Sequence, residues 1–358
     1  MPLDATRQTQ KTIRRPRTNE LDQNSKLIKV LSSWLRQRVA RVVVGGTSSN
    51  EVAITDMVFQ GTVLGPTLWN LFFEDARVAI NSCLFEEIVY ADDLNAYRFF
   101  SSSTETASIQ NCTKSCQDEL HTWGRANQVV FDPAKESQHI LCLRDPVGES
   151  FRLLGLIFDG TLEMDEAINE LVTEVGWKLR TLLRTQRYYT DAELILLYKA
   201  QLLSFIEYRT PAIYHATRHL LSKVDAIQTR FLRNAGVDEV TALMHFNLAP
   251  LSMRRDIAML GVVHRAAIGE GPPQLKRLIK RAPGGFQLLD PYSGRTTPPV
   301  VKRSVWGLLP VYNKLGSNAQ SIATVKDFQA YLQERAKVII QKNLIEEWTD
   351  LYSPRRCW

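Results

Sequence analysis

Phe85-Glu86-Glu87-Ile88-Val89-Tyr90-Ala91-Asp92-Asp93-Leu94 is the stretch on which the fold of this chain turns. The segment Phe85 to Val89 and the residues after Asp93 read as two β-strands, with Tyr90 to Asp93 as the tip between them. That tip carries two adjacent carboxylates, oxygen donors of the kind a Mg²⁺ ion takes. A bare Asp-Asp pair is ordinary turn chemistry. With Tyr-Ala in front of it, the tetrad arises by chance in a chain this long only about a few times per thousand, at average residue usage.

Upstream stands Gln60-Gly61-Thr62-Val63-Leu64-Gly65-Pro66, followed by Leu68-Trp69-Asn70-Leu71-Phe72-Phe73. Pro66 suits the first turn of a helix that carries Leu68, Leu71, Phe72, Ala76 and Ile80 inward. Before that loop, Leu27, Ile28, Val30, Leu31, Trp34 and Leu35 share one face of a helix over Ser25 to Gln37, capped by Asn24 or Ser25. A hairpin then runs out over Val39 to Val44, turns at Gly45-Gly46 and returns over Val52 to Ile54. Downstream of the tetrad, Ile109, Cys112, Cys116, Leu120 and Trp123 mark one helical face, which makes the two cysteines core residues. Short strands around Val129 to Phe131 and Gln138 to Leu143 bracket Lys135. The first half is thus an α+β unit with helices on one face of an antiparallel sheet.

From Phe151 the pattern changes. A hairpin from Phe151 to Leu162 introduces three helices centred near residues 175, 200 and 225. Their apolar faces are Ile168, Leu171, Val175, Leu179 and Leu182; Leu194, Leu197, Tyr198 and Leu202; and Leu220, Val224, Ile227 and Phe231. Further helices run from Ser252 to Ile268 and from Thr324 to Trp348, separated by the turn-rich segment Pro283 to Pro299.

The net charge is +6, from 44 basic and 38 acidic residues in 358. Much of that excess sits in residues 1–24, read as a basic disordered tail with Arg7, Lys11, Arg14, Arg15 and Arg17 near its start. The five cysteines (Cys83, Cys112, Cys116, Cys142, Cys357) are odd in number and irregularly spaced, which fits neither a disulfide framework nor a zinc site. A reducing, intracellular setting is expected, nucleus or cytoplasm, with neither secretion nor membrane insertion. His215 and His219 lack a zincin glutamate, and no serine elbow, Walker loop or dinucleotide fingerprint is present.

Taken in order, the glutamine-glycine loop, the tetrad and the downstream lysine resemble the reverse transcriptase palm of non-LTR (LINE-type) retrotransposons. The resemblance implies a partial right-hand polymerase: palm over 25–150, an α-helical thumb over 151–240, where Leu153-Leu154-Gly155 is similar to a primer-grip hairpin, and a helical C-terminal extension of unassigned role over 241–358. It implies an RNA-directed DNA polymerase using Mg²⁺ or Mn²⁺, with RNA template, DNA primer and deoxynucleoside triphosphates as partners. Asp92 and Asp93 become the metal ligands. Lys135 becomes the group beside the triphosphate that protonates pyrophosphate. Gln60, Gly61, Leu64, Gly65, Tyr90 and Ala91 become the template and substrate contacts. Arg180, Arg184, Arg187 and Lys178 cluster where a thumb would meet phosphates, although a solvated face explains such a cluster equally well.

Phe59 and Thr62 stand where the family commonly has proline and serine. The apolar strand carrying the family's other catalytic aspartate, expected ahead of Ser25, has no counterpart here, and neither has the fingers segment. The resemblance therefore begins in mid-palm, as in a polymerase truncated at its N-terminus. A second reading follows, a catalytically inactive remnant that at most binds nucleic acid.

Overall fold

A computed structural model describes residues 25–54, 61–294 and 296–342. The fold is α+β and mainly helical, and the chain divides into two units, Met1–Glu136 and Ser137–Trp358. The tail expected over residues 1–24, Gln60 and Cys357 lie outside the described residues.

In the first unit, helix α1 (Ser25–Leu35) precedes the expected hairpin. Its strands β1 (Arg38–Ala40) and β4 (Val52–Ile54) pair antiparallel, as do β2 (Val43–Val44) and β3 (Thr47–Ser48). Gly45 and Gly46 both take positive φ (57° and 83°), as a type I′ turn requires. The hairpin is broken where residues 41–42 face residues 49–51. There the Ser49 N–H donates to Val42 O (2.9 Å) and the Ser49 hydroxyl accepts from Val42 N (3.0 Å), bridging a bulge.

Helix α2 (Gly65–Ser82), the tetrad hairpin β5 (Glu86–Tyr90) and β6 (Asp93–Tyr97), and helix α3 (Thr106–Ala126) form the rest of this unit. One small core gathers Phe73, Ala76 and Trp123, and another Ile80, Phe85 and Cys116. Leu94 of β6 packs against both. Ala76 and Ile80 are buried as expected, but Phe72 is 41% and Leu71 44% exposed, and Phe73 takes the inward position. The run Leu68 to Phe73 is apolar on two overlapping helical stripes, and the stripe chosen, Trp69-Phe73-Ala76-Ile80, is the one α3 covers.

The strands expected around Val129–Phe131 and Gln138–Leu143 do not form. Gln128 takes φ 59° after α3 and Val129 N donates back to Gly124 O (2.9 Å), so the chain folds over the helix it has just left. Gly124 permits this, because a Cβ there would lie 2.8 Å from Val129 O and 2.9 Å from the Phe131 ring. Ile140 retains one isolated bridge, to Val147. Among the described residues every strand therefore belongs to a two-stranded ladder, in place of one palm sheet with helices on one face.

The second unit opens with hairpin β7 (Phe151–Leu153) and β8 (Leu156–Phe158). Helices α4 (Asp165–Arg184), α5 (Asp191–Tyr198), α6 (Ser204–Ile213) and α7 (Arg218–Ala235) follow, with a π-helical turn Lys199–Leu203 between α5 and α6. Their expected apolar faces are buried, with Leu197 packed at the edge, and Tyr198 stacks on Phe231 at 4.1 Å. Beyond them come α8 (Glu239–Phe246), α9 (Leu251–Ala267), the short helices α10 (Pro273–Leu278), α11 (Pro299–Arg303), α12 (Leu309–Lys314) and α13 (Ser317–Gln320), and α14 (Val325–Gln341). Of these only α9 and α14 are legible in the sequence; the others are too short for a 3.6-residue period to declare itself.

A second core surrounds α9 and α14. No break separates it from the first at residue 240. Arg255 of α9 grips Asp225 of α7 with both guanidinium nitrogens (2.7 and 2.9 Å), Arg254 reaches Glu207 (2.6 Å), Tyr214 donates to Asp256 (2.9 Å), and Gln228 donates to Ala249 O (2.9 Å). Residues 137–150, read as palm in the sequence, also belong to this unit.

His264 is wholly buried in the second core, stacked on Phe328 at 4.1 Å. Its Nε2 donates to Ile322 O (3.0 Å), and its Nδ1 lies 2.9 Å from the Tyr312 hydroxyl, which a neutral ring accepts from. Burial, aided by the charge of Arg281 and opposed by the Ile322 carbonyl and Glu270, holds its pKa below the ordinary histidine value. The folded-state pKa is thus the lower one, so this contribution to stability is complete above about pH 6.5 and is lost as pH falls toward the folded value. Urea midpoints measured at about pH 7.5 and about pH 5.5 should fall with acid in the native chain, and fall less in His264→Gln.

Candidate carboxylate site at the hairpin tip

Strands β5 and β6 pair so that Tyr90 faces Asp93, leaving Ala91 and Asp92 as a two-residue loop. Ala91 sits at φ 55° and Asp92 does not share the positive φ, the sign pattern of a type II′ turn, whose first position is normally glycine. An alanine in the left-handed region costs about 1–2 kcal/mol. What opposes that cost is Trp69, in the second turn of α2, whose indole Nε1 donates to Ala91 O at 2.8 Å. A hydrogen bond of this type is worth about 1 kcal/mol, the same order as the strain.

The brace has a second consequence. It draws the start of α2 to the hairpin tip, and with it the loop Gly61–Leu64 that feeds the helix. Gly61 takes φ 90° with open space where a Cβ would be, and Gly65 N closes the loop on Thr62 O (3.2 Å). Leu64 is 43% and Val63 95% exposed. Gly61, Leu64 and Gly65 are thus brought toward Ala91, Asp92 and Asp93, and Asn70 is exposed on the helix that joins them.

Pairing across the ladder puts Asp93 on the face of Ile88 and Tyr90, opposite Leu94 and the two cores. Tyr90 is 66% exposed, and both aspartates are exposed. Among the described residues no hydrogen bond or ion pair engages either carboxylate, so the tip presents uncompensated negative charge. Neighbouring acids are satisfied instead: Glu87 pairs with Arg77 (2.5 Å) and Glu86 accepts from the Tyr97 hydroxyl (2.9 Å).

Lys135 lies exposed in a turn shaped by Asp132, whose backbone oxygen accepts from Lys135 N (2.9 Å) and whose side chain accepts from Ala134 N (3.1 Å). The next residue anchors that turn to α3, because the Glu136 carboxylate accepts from Gln117 Nε2 and meets His121 Nε2 at 2.9 Å. Burial would raise the Glu136 pKa, but these hydrogen bonds and the histidine prevail and hold it below the usual carboxylate range. No hydrogen bond or ion pair among the described residues joins Lys135 to Asp92 or Asp93. What links them is a column of rings: Trp69 on Phe73 (5.2 Å), Phe73 on Trp123 (5.4 Å), and Trp123 on Phe131 (6.5 Å), one residue before Asp132. The bracing role of Trp69 and the Gln117-His121-Glu136 anchor are not apparent in the sequence, since an indole N–H in an apolar run announces no acceptor.

Two carboxylates suit a hard divalent cation whose remaining positions are filled by water and substrate phosphates, the usual Mg²⁺ arrangement. Among the described residues no group of three His, Cys, Asp or Glu side chains could hold a metal on its own. No described helix is long and apolar enough to cross a membrane. No family model, curated protein or solved structure matches the chain.

If Trp69 holds the tip, Trp69→Phe keeps the ring packing and removes only the donor. Amide hydrogen exchange across residues 86–97 should then accelerate about fivefold, the loss expected for one hydrogen bond. Ala91→Gly should restore part of the protection by relieving the positive φ. Unchanged exchange in Trp69→Phe would remove the brace from the account.

Proposed function

We infer that the chain is reverse transcriptase sequence of the non-LTR type, an RNA-directed DNA polymerase working by metal-assisted nucleotidyl transfer. The observation that carries this reading is the exposed, uncompensated Asp92-Asp93 pair on a strained tip, drawn together with the Gly61–Gly65 loop by Trp69. A strained backbone braced from outside is common where side chains must be aimed at a ligand.

In this reading Asp92 and Asp93 hold the cation. When bound, Mg²⁺ or Mn²⁺ supplies charge neutralisation at the triphosphate and activation of the primer 3′ hydroxyl. Gly61 lets the backbone of the loop pass close to the template, since no side chain intervenes. Tyr90 and Ala91 border the bound nucleotide, with Leu64 and Gly65 on the loop side. Lys135, exposed and without a carboxylate partner among the described residues, gives its proton to the departing pyrophosphate.

One observation favours a second reading. The described residues offer two carboxylates where such catalysis uses three, and a chain confined to these would bind nucleic acid without extending it. Primer extension on an RNA template with Mg²⁺ or Mn²⁺, run beside Asp92→Ala, separates the two. Polymerase activity should appear in the native chain and fall at least about 100-fold in the variant, the scale of losing one member of a catalytic set. Absence of extension in both overturns the polymerase reading and leaves the second.

A further inference from the structure

Helices α4 and α7 pack side by side, and a groove of about 420 Å³ runs between them. Gly176, Trp177, Arg180, Ile227 and Arg230 line it, with Lys223 at one end. Its floor is apolar and rests on the buried Leu179 and Ile227. The space beside Gly176 is open, since a Cβ there would meet nothing within 4 Å.

Three features of this groove bear on what it could hold. Trp177 is 62% exposed at the groove, on a helix whose opposite face is buried. The Arg180 guanidinium lies 5.0 Å from the Trp177 ring and has no carboxylate partner among the described residues. Arg230, on the facing helix, has none either. Four acids of these helices are engaged elsewhere: Glu174 with Lys178 (3.6 Å) and Arg209 (3.3 Å), Glu170 with Arg152 (2.6 Å), Asp225 with Arg255 (2.7 Å) and Asp165 with Lys223 (3.6 Å). Arg184 and Arg233 sit in the last turns of α4 and α7, where the helix C-terminus itself accounts for a cation. Arg180 and Arg230 lie before those last turns and border the groove instead.

An accessible indole face, an apolar floor and two cations lacking protein counter-charges match the chemistry of an unpaired base on a phosphodiester chain. We propose that the α4–α7 groove binds a single-stranded nucleic-acid segment, with one base stacked on Trp177 and the adjoining phosphates against Arg180 and Arg230. Paired bases are hidden inside their own stack and cannot reach the indole, so the groove selects single strands over duplex. The site lies within Ser137–Trp358 and uses neither Asp92 nor Asp93.

The test is fluorescence anisotropy of the full chain with labelled oligo(dT) and oligo(U) and with a duplex of equal length. Single strands should bind more tightly than duplex. Trp177→Ala should weaken binding about tenfold, the scale of one base–aromatic stack. Arg180→Gln combined with Arg230→Gln should lower the slope of log affinity against log salt by about 1.4, two phosphate contacts on a single strand. Gly176→Leu should block the groove while leaving the thermal midpoint equal or higher, since leucine favours a helix over glycine. Single-strand affinity that survives both Trp177→Ala and Gly176→Leu in folded protein would overturn the proposal, as would a preference for duplex. Primer extension is not read in this experiment, so its failure bears on Asp92 and Asp93 alone.

Discussion

A two-stranded antiparallel ladder is marginal in water, and every described strand of this chain belongs to one. The hairpins that matter must therefore be held by helices. Two of them are held in the same way. The tetrad hairpin turns at Ala91 (φ 55°), and the second-unit hairpin turns at Leu154 (φ 50°). Each puts a non-glycine residue in the left-handed region at the first loop position. Each has that residue's carbonyl capped by an aromatic donor from a helix: Trp69 Nε1 to Ala91 O (2.8 Å), and the Tyr208 hydroxyl to Leu154 O (2.9 Å). The donors offset strain of similar size and fix where each tip points.

In the first unit this constraint sets the arrangement of α2, α3 and the tetrad hairpin. Trp69 can reach the hairpin only if α2 lies under it, and Trp69 stacks on Phe73, which meets Trp123 of α3. Phe131 closes the same column, and Gly124 gives it room to approach. The exposed aspartates and the turn of Lys135 are attached to one aromatic framework. Few residues are buried in it, and Ile88, Val89 and Tyr90 remain 48%, 40% and 66% exposed on β5.

The second unit is built by other means. Its two apolar cores are joined through buried and half-buried polar pairs, chiefly Arg255 with Asp225 and Tyr214 with Asp256. Removing one partner of the Arg255–Asp225 pair would leave a buried charge unpaired, at a cost of about 3–5 kcal/mol. Residues 241–342 are therefore continuous with the helices before them. The same pairing of acids leaves Arg180 and Arg230 without counter-charges at their groove.

Much of this was legible in the residues themselves. The tetrad hairpin follows from its alternation and turn, and the apolar faces of α4, α5 and α7 follow from their 3.6-residue period; both signals are local and repeat along the chain. On α2, Ala76 and Ile80 point inward as their period implies, but Phe73 takes the place expected of Phe72, because the two are equally apolar and only the position of α3 decides between them. Of the strands expected around residues 129–131 and 138–143, the first is drawn onto α3 instead, with Val129 N bonded to Gly124 O and Phe131 packed on Trp123, and the second keeps only the Ile140–Val147 bridge. Sequence alone singled out the candidate residues, Asp92, Asp93, Lys135 and the glycine loop. Tertiary structure decided what stands beside them, since the acceptor of an indole N–H, the counter-charge of an arginine and the open floor at Gly176 depend on residues far apart along the chain.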